Sequence, residues 1–231
     1  MNTVCHICYK RKIINSRVNS TKTLYNQLKK IKVKPKVYIA ASATGYYKEN
    51  TITPQREVDT SANSFLGNVT SIWEKESTKI KSLGIRTVIL RIGLVLSKDG
   101  GILNKLYPLF KFFLGVPVGK GTQLISWIHE KDMVNIIINS IENNNIQGVY
   151  NAVSPQVVDN SFFTRALLKS IKRFSYPSLF RAPSFIVKLL FGEQSTLVLN
   201  GLNISSKKIE KHYNFYFKNL DEALSNIFKK K

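Results

Sequence analysis

A chain of 231 residues is long enough for one ordinary domain, or for one domain with a small appendage. Its hydrophobic share of 43%, with ten Tyr and thirteen Phe residues, excludes an intrinsically disordered chain. The formal net charge of +21 favours non-specific attraction to polyanions. The lysines are spread along the chain without an aromatic-interleaved basic stripe, so we predict no specific nucleic-acid partner.

Helical and extended segments alternate along the chain. Apolar residues at helical spacing predict helices over 10–31, 64–80, 103–114, 131–143, 160–173, 183–191, 193–202, 205–211 and 220–228. Continuous β-branched runs predict buried strands at 36–41, 87–92 and 148–153, and 124–129 is a short extended piece. A loop is predicted over 94–101, and Asn160 or Ser161 is expected to cap the helix that follows. The alternation predicts an α/β fold with a parallel sheet flanked by helices.

The run KVYIAASATGYY at 36–47 is a short apolar strand that ends in small residues and two tyrosines. In an open parallel sheet, ligands lie beyond the carboxyl ends of the strands, so Ser42 to Tyr47 is predicted to form the floor of a site. Tyr46 and Tyr47 are acid/base candidates, but a phenol with a pKa of about 10 needs a cationic neighbour. Lys48 is adjacent in the sequence. The alternative is that the two rings line a pocket.

Other motifs are less specific. Cys5 and Cys8 form a CxxC pair with no second ligand pair at zinc spacing, so we predict two reduced thiols and no metal. His129 is isolated in the sequence and is interpreted as a packed residue more readily than as a catalyst. The most apolar windows, 106–118 and 184–191, are interrupted by lysines and are too short to span a bilayer. These features, with no signal-peptide core, predict a soluble intracellular protein.

Several segments match one known family in order and spacing. They are ASATGYY, FLGNVTSIWE at 65–74, RIGLVLSKDGGIL at 91–103, GKGTQLISWIHEKDM at 119–133, GVYNAVSP at 148–155 and FGEQSTLVLNG at 191–201. Together they resemble the epimerase-family branch of the extended short-chain dehydrogenase/reductases, which includes the human family 39U type. The resemblance covers residues 11–228. It implies a Rossmann-like NAD(P)-binding domain over 1–176 and a small, mostly helical C-terminal domain over 177–231.

The resemblance also implies NADP as the cofactor. Arg17 matches an arginine that contacts NADP in the family, and Val95 matches a backbone contact at the nicotinamide end. Ser42 matches the serine or threonine at the end of the central strand, where a hydroxyl reaches a substrate oxygen. The alternatives are a solvated arginine for Arg17, ordinary loop packing for Val95 and strand-end capping for Ser42. Lys12 stands where the family has a Glu that contacts the cofactor, which leaves that cofactor contact in doubt.

Two parts of the family pattern are missing. Family members begin with a strand and a GxxGxxG turn, whose glycines let the backbone approach the pyrophosphate. The first 15 residues here contain no glycine. The comparison therefore predicts that roughly the first 60 residues of the family's Rossmann fold are absent. The chain is then either a clipped gene model or a truncated protein, and NADP binding is in doubt.

The second missing part is the Tyr-x-x-x-Lys pair, in which the lysine lowers the tyrosine pKa for proton exchange with a substrate hydroxyl. Counted along the predicted helix, its two positions fall near Leu66 and Thr70, which cannot do this chemistry. Two such spacings on other elements are interpreted as chance: 25–29 and 107–111.

The sequence thus predicts an NADP-dependent oxidoreductase or epimerase of unidentified substrate. Its weak catalytic candidates are Ser42, Tyr46 and Tyr47. The alternative is a non-catalytic Rossmann remnant that acts as a binding or scaffold protein.

Overall fold

The structure is a computed structural model that describes residues 3–112, 114–174, 181–183 and 200–229, with side chains from residue 11 onward. The helices are α1 (Thr3–Lys30), α2 (Phe65–Thr78), α3 (Gly101–Lys111), α4 (Glu130–Glu142), α5 (Asn160–Ser170) and α6 (Leu220–Phe228). The strands are β1 (Val37–Ala43), β2 (Arg86–Ile92), β3 (Leu94–Leu96), β4 (Leu124–Ile125), β5 (Trp127–His129), β6 (Gly148–Ala152) and β7 (Val158–Asp159). Short 3-10 turns occur at Thr44–Tyr46, Lys79–Leu83 and Ile209–Lys211.

The chain forms two compact units. Unit 1 comprises Met1–Lys48, Glu57–Arg91 and Ile137–Tyr150. Unit 2 comprises Glu49–Arg56, Ile92–Ile136 and Asn151–Lys231. The domain boundary predicted at residue 176 lies outside the described residues and stays a prediction.

The three predicted strands form one parallel sheet in the order β1-β2-β6, which confirms the predicted fold class. The middle strand β2 is buried from Thr87 to Arg91. A parallel strand that is covered on both faces carries a continuous apolar run, which is the pattern of RTVILRI. Arg91 is the exception in this run, because it is a buried charge in an apolar strand.

The prediction of a loop over 94–101 was wrong at its start, because Leu94–Leu96 forms strand β3. Leu94 pairs in parallel with Trp127, and its amide donates to the Ser126 carbonyl at 2.9 Å. Gly93 permits this change of partner, since a Cβ there would lie 2.7 Å from Ser126 O and from Val153 Cγ1. The missing side chain lets the backbone pass directly from one sheet to another.

Unit 1 is held together by packing between helices. Helix α1 packs against α2, and Leu28 forms a buried cluster with Ile80 and Ile85. Ser64 caps α2 by accepting from the Gly67 amide at 3.1 Å. Gly84, in the left-handed conformation, ends the 3-10 turn that follows α2.

Unit 2 has its own core, centred on fully buried Trp127, in which α5 packs against α6. The predicted caps of α5 were wrong. Asp159 is the cap and accepts from the Phe162 amide at 2.7 Å. Asn160 and Ser161 instead hold the preceding loop, because Asn160 Oδ1 accepts from the Val118 amide and Ser161 Oγ donates to a loop carbonyl.

The tail is described only in part. The predicted helix at 220–228 is confirmed as α6, whereas the predicted helix at 205–211 is reduced to the turn Ile209–Lys211. Most of the helices predicted at 183–191 and 193–202 lies outside the described residues. Among the described helices, none combines the length and the apolar character that crossing a membrane requires.

Candidate functional site

The turn after β1 sets the geometry of the predicted site floor. The chain leaves β1 through the turn Thr44–Tyr46, and Tyr47 N donates to Thr44 O at 3.0 Å. A Cβ on Gly45 would lie 3.3 Å from Leu66 Cβ, which is tighter than most real contacts. The glycine therefore lets this turn contact the first turn of α2 directly. This contact positions the backbone that carries Tyr46 and Tyr47.

Ser42, at the end of β1, is buried and has a partner inside the protein. Its hydroxyl donates to Glu74 Oε1 at 2.6 Å, a short hydrogen bond to a carboxylate. Glu74 is also buried, on the inner face of α2. The serine predicted to face a substrate thus orients an interior carboxylate in this structure, and its role as a cofactor or substrate contact stays a prediction.

The same carboxylate binds Arg91, the charged residue of β2. Arg91 Nε lies 2.9 Å from Glu74 Oε1, and Arg91 Nη2 lies 2.8 Å from Glu74 Oε2. This two-pronged arrangement is the strongest geometry available to an arginine–carboxylate pair. Burial alone would lower the pKa of Arg91, but the Glu74 hydrogen bond and the electrostatic attraction to Tyr47 and Glu74 raise it above its ordinary value. Arg91 therefore stays charged in the interior.

Both candidate tyrosines contact this arginine. Arg91 Nη1 donates to Tyr47 Oη at 2.8 Å, and the guanidinium carbon lies 3.4 Å from the centroid of the Tyr46 ring. The two rings meet edge to face, with centroids 5.3 Å apart. Tyr47 is only 1% exposed, whereas Tyr46 is half-buried. Of the two phenols, Tyr46 is the more accessible, and the cation beside them is Arg91.

Sequence reasoning missed Glu74 and Arg91, although a signal was present. Arg91 interrupts an otherwise apolar strand, and Glu74 falls on the same face of α2 as Gly67, Thr70 and Ser77. Charged residues are almost never fully buried without a partner. Two opposite charges at buried positions of neighbouring elements therefore predict an ion pair.

The remaining predicted contacts lie elsewhere. Arg17 is exposed on α1, where its guanidinium carbon lies 5.3 Å from the Trp73 ring centroid. Val95 is half-buried in β3, opposite Ile128. Arg17 belongs to unit 1 and Val95 to unit 2, and their roles as cofactor contacts stay predictions.

The isolated His129 is packed in the core of unit 2. Its Nδ1 accepts from the Lys131 amide at 3.0 Å, and its ring stacks on Phe217 with a centroid distance of 4.0 Å. Burial lowers the pKa of His129 below its usual value of 6.5, against the opposing charges of Asp132 and Glu130. The interpretation of this histidine as a packed residue is confirmed.

Asp132 is fully buried and ties the tail of the chain to α4. It accepts from Tyr213 Oη at 2.7 Å, from the Tyr216 amide at 2.8 Å and from the Phe217 amide at 3.1 Å. Burial and the hydrogen bond to Asp132 raise the pKa of Tyr213 above its ordinary value of 10. These contacts give both residues a structural role in unit 2.

Comparison with known proteins identifies the family. A model described as a domain of unknown function, DUF1731, matches residues 182–227. The chain is 35% identical over 222 residues to the epimerase family protein YfhF of Bacillus subtilis (strain 168), and the match covers 94% of this chain and 71% of that protein. The chain belongs to the epimerase family.

Solved structures agree with this assignment. The human epimerase family protein SDR39U1 (isoform 2), crystallised with NADPH, matches this epimerase-family chain with a TM-score of 0.86 and 25% identity, over 96% of this chain and 75% of that one. A nucleoside-diphosphate sugar epimerase from Corynebacterium glutamicum matches with a TM-score of 0.79 and 26% identity, over 96% of this chain and 43% of that one. The resemblance inferred from the ordered motifs is thereby confirmed.

Proposed function

We propose that this epimerase-family protein is an NADP-dependent oxidoreductase or epimerase that acts on a small molecule with a hydroxyl or carbonyl group. The observation that carries the proposal is the similarity, over 96% of the chain, to a human family member crystallised with NADPH. That similarity does not favour the alternative of a non-catalytic scaffold protein.

The residues of this chain fit NADP only in part. Arg17 is an exposed guanidinium on α1, and such a group suits a phosphate of the cofactor. The chain has no GxxGxxG turn, and its first glycine is Gly45, so these residues supply no cradle of that type for the pyrophosphate. When bound, NADP would supply hydride transfer.

The chain's own residues can supply a positioned proton donor. Tyr46 has the more accessible of the two phenols, and its ring lies against the Arg91 guanidinium. Arg91 is fixed in turn by both oxygens of Glu74. We therefore assign Tyr46 as the group that exchanges a proton with a substrate oxygen, and Glu74 and Arg91 as positioning residues that hold its ring.

The cofactor part is tested by NADPH titration of the 231-residue chain, followed by nucleotide fluorescence. We expect saturable binding that prefers NADPH to NADH and weakens about tenfold in Arg17→Met, since a charged hydrogen bond to phosphate is lost. Arg11→Met, an exposed arginine on the same helix, is the matched control and should bind normally. Absence of saturable binding, or equal weakening in both variants, would overturn this part.

The catalytic part is tested with a panel of aldehydes, ketones and sugars, through the change in NADPH absorbance. For any compound that turns over, Tyr46→Phe should lower kcat by a factor of about 100 or more, because general acid–base catalysis contributes that much. NADPH affinity should not change. A Tyr46→Phe variant with the normal rate would remove Tyr46 from the mechanism while leaving the family assignment intact.

A further inference from the structure

Helices α3 and α5 of unit 2 end side by side. Beyond the end of α5, Arg173 donates from Nε to the carbonyl of Lys111, the last residue of α3, at 3.2 Å. Phe110 of α3 and Leu168 of α5 are buried in the same core cluster. A Cβ on Gly115 would lie 2.7 Å from Phe110 Cδ1 and 3.0 Å from Leu168 Cδ2, so the glycine lets the chain that leaves α3 pack against both helices. The two helix ends therefore form one surface.

Three large apolar side chains at these helix ends are exposed. Phe112 and Leu114, which follow α3, are 73% and 65% exposed, and Phe174, which follows Arg173, is 86% exposed. Single apolar side chains at a protein surface are normal, but several on neighbouring segments mark an interaction site. We call Phe112, Leu114 and Phe174 the apolar patch.

The segments that carry the apolar patch are positively charged. Neither 100–129 nor 160–174 contains an Asp or a Glu, in a chain with a formal net charge of +21. Lys111 directly precedes the first patch residue, Lys172 lies two positions before the last, and both lysine side chains are exposed. Lys172 has a φ of 56°, a left-handed conformation that turns the chain at the end of α5. Apolar groups and cations thus alternate at the same helix ends.

From this combination we infer that the apolar patch docks onto an anionic lipid surface. The Phe and Leu side chains would enter the boundary between headgroups and acyl chains, and the neighbouring lysines would pair with anionic headgroups. Asp221 of α6 does not oppose this charge, because it pairs with Lys169 at 3.5 Å. The surface lies within unit 2, and its use does not depend on whether the chain binds NADP.

The charge and the side-chain types favour lipid over two other occupants. A second copy of the chain would bring the same formal net charge of +21 to the patch, and repulsion between the copies opposes self-association. Single-stranded nucleic acid binds through bases that stack on rings, and Leu114 offers no ring. A surface of this type lies on a bilayer without crossing it, so it requires no membrane-spanning helix.

Vesicle flotation of the 231-residue chain tests the inference. At physiological ionic strength we expect binding to vesicles of equal parts phosphatidylcholine and phosphatidylserine, and binding about tenfold weaker or less to pure phosphatidylcholine, because the lysines need anionic headgroups. If the chain does not float with the phosphatidylserine vesicles, or floats equally with both kinds, the inference is wrong.

Serine substitutions separate apolar insertion from simple attraction of a basic protein, because they keep the net charge. The patch variant should bind the mixed vesicles about tenfold more weakly, since it loses the apolar area that enters the lipid; it combines Phe112→Ser, Leu114→Ser and Phe174→Ser. The control variant removes three comparably exposed apolar side chains elsewhere and should bind normally; it combines Val33→Ser, Ile52→Ser and Val58→Ser. Both variants should melt like the wild-type chain. Wild-type affinity in the patch variant, or equal losses in both variants, would overturn the inference.

Lysine substitutions test the charged part of the surface. Lys111→Met combined with Lys172→Met should weaken binding to the mixed vesicles about tenfold, because each cation close to an anionic bilayer contributes to binding. Lys29→Met combined with Lys81→Met removes the same charge from exposed positions of unit 1 and should have a much smaller effect. Equal effects of the two double variants would assign the binding to net charge alone and refute the docking surface.

A tryptophan reporter shows whether the patch enters the lipid. In Phe112→Trp we expect a blue shift of the added emission with mixed vesicles and quenching by brominated phosphatidylcholine, whereas Val33→Trp, at an exposed position of unit 1, should show neither. An unshifted spectrum of Phe112→Trp would contradict insertion. The patch would belong to another partner if its serine variant lost affinity for a single-stranded oligonucleotide but not for vesicles, or converted a wild-type dimer into a monomer in sedimentation velocity.

Discussion

Each unit of the molecule buries a carboxylate, and the two units satisfy it differently. In unit 1, Glu74 is paired with a charged guanidinium through two parallel hydrogen bonds. In unit 2, fully buried Asp132 accepts from one phenol and two backbone amides, all of them neutral. The first arrangement pairs the carboxylate with a cation, and the second surrounds it with neutral hydrogen-bond donors. We therefore expect variants at the Glu74–Arg91 pair to lower the free energy of unfolding more than variants at Asp132.

Arg91→Met should have the largest effect. It leaves the Glu74 carboxylate buried without its cation, so we expect the free energy of unfolding to fall by about 3–5 kcal/mol. Urea unfolding followed by circular dichroism measures the change. The double variant Arg91→Met with Glu74→Gln should recover part of the loss, because no unpaired charge remains. If the double variant is less stable than Arg91→Met alone, the local cancellation of charge is refuted.

Asp132→Asn should cost less, about 2–3 kcal/mol, because hydrogen bonds to a charged acceptor are lost but no charge is left unpaired. In this variant the side-chain amide nitrogen, itself a donor, would replace one carboxylate oxygen of Asp132 and face a hydrogen-bond donor. The same urea experiment applies, with Asp99→Asn at an exposed position as the matched control. Glu74→Gln strands Arg91 and should exceed Asp132→Asn in cost. Equal costs would mean that the two buried carboxylates do not differ as proposed.

The smallest effect is a pH dependence at His129. Because burial lowers its pKa below 6.5, the unfolded state binds a proton there that the folded state does not. Stability is therefore fully present above about pH 6.5 and falls as the pH drops toward the folded-state pKa, by at most about 1.4 kcal/mol per pH unit. His129→Gln should flatten this slope in urea titrations.

Asp132 affects the pKa of His129 and gives a second way to measure this pH dependence. Asp132 opposes the lowering of the His129 pKa, so Asp132→Asn should extend the loss of stability to lower pH. A slope that is identical in the wild-type chain and in His129→Gln would show that other groups cause the acid sensitivity.

The strands and the family could be predicted because their signals are local. A continuous β-branched run such as RTVILRI is typical of a covered parallel strand, and ordered motifs carry homology whatever the contacts are. Strand β3 could not be predicted, since three residues give no period and their pairing with β5 depends on the close approach at Gly93.

For the candidate site, the sequence predicted a location but not the contacts between its side chains. The carboxyl end of β1 was predicted to form the floor of a site, which stays a prediction, and the neighbouring tyrosines Tyr46 and Tyr47 carry the same local signal. The turn at Thr44–Tyr46 decides that Tyr47 lies inside while Tyr46 is partly accessible. The pair Glu74–Arg91 joins a helix to a strand, and no local periodicity reports such a contact between distant segments.

One contact in unit 1 also bears on how the chain tolerates changes in length. The Arg86 guanidinium donates to three backbone carbonyls, those of Ser140, Ile141 and Ile146, at 2.8 to 3.0 Å. One rigid, planar group therefore fixes the length of the connection between α4 and β6. Adding or deleting a single residue there would move Ile146 O away from its donor, so this short connection is a poor place for an insertion or an epitope tag, although it lies between two regular elements.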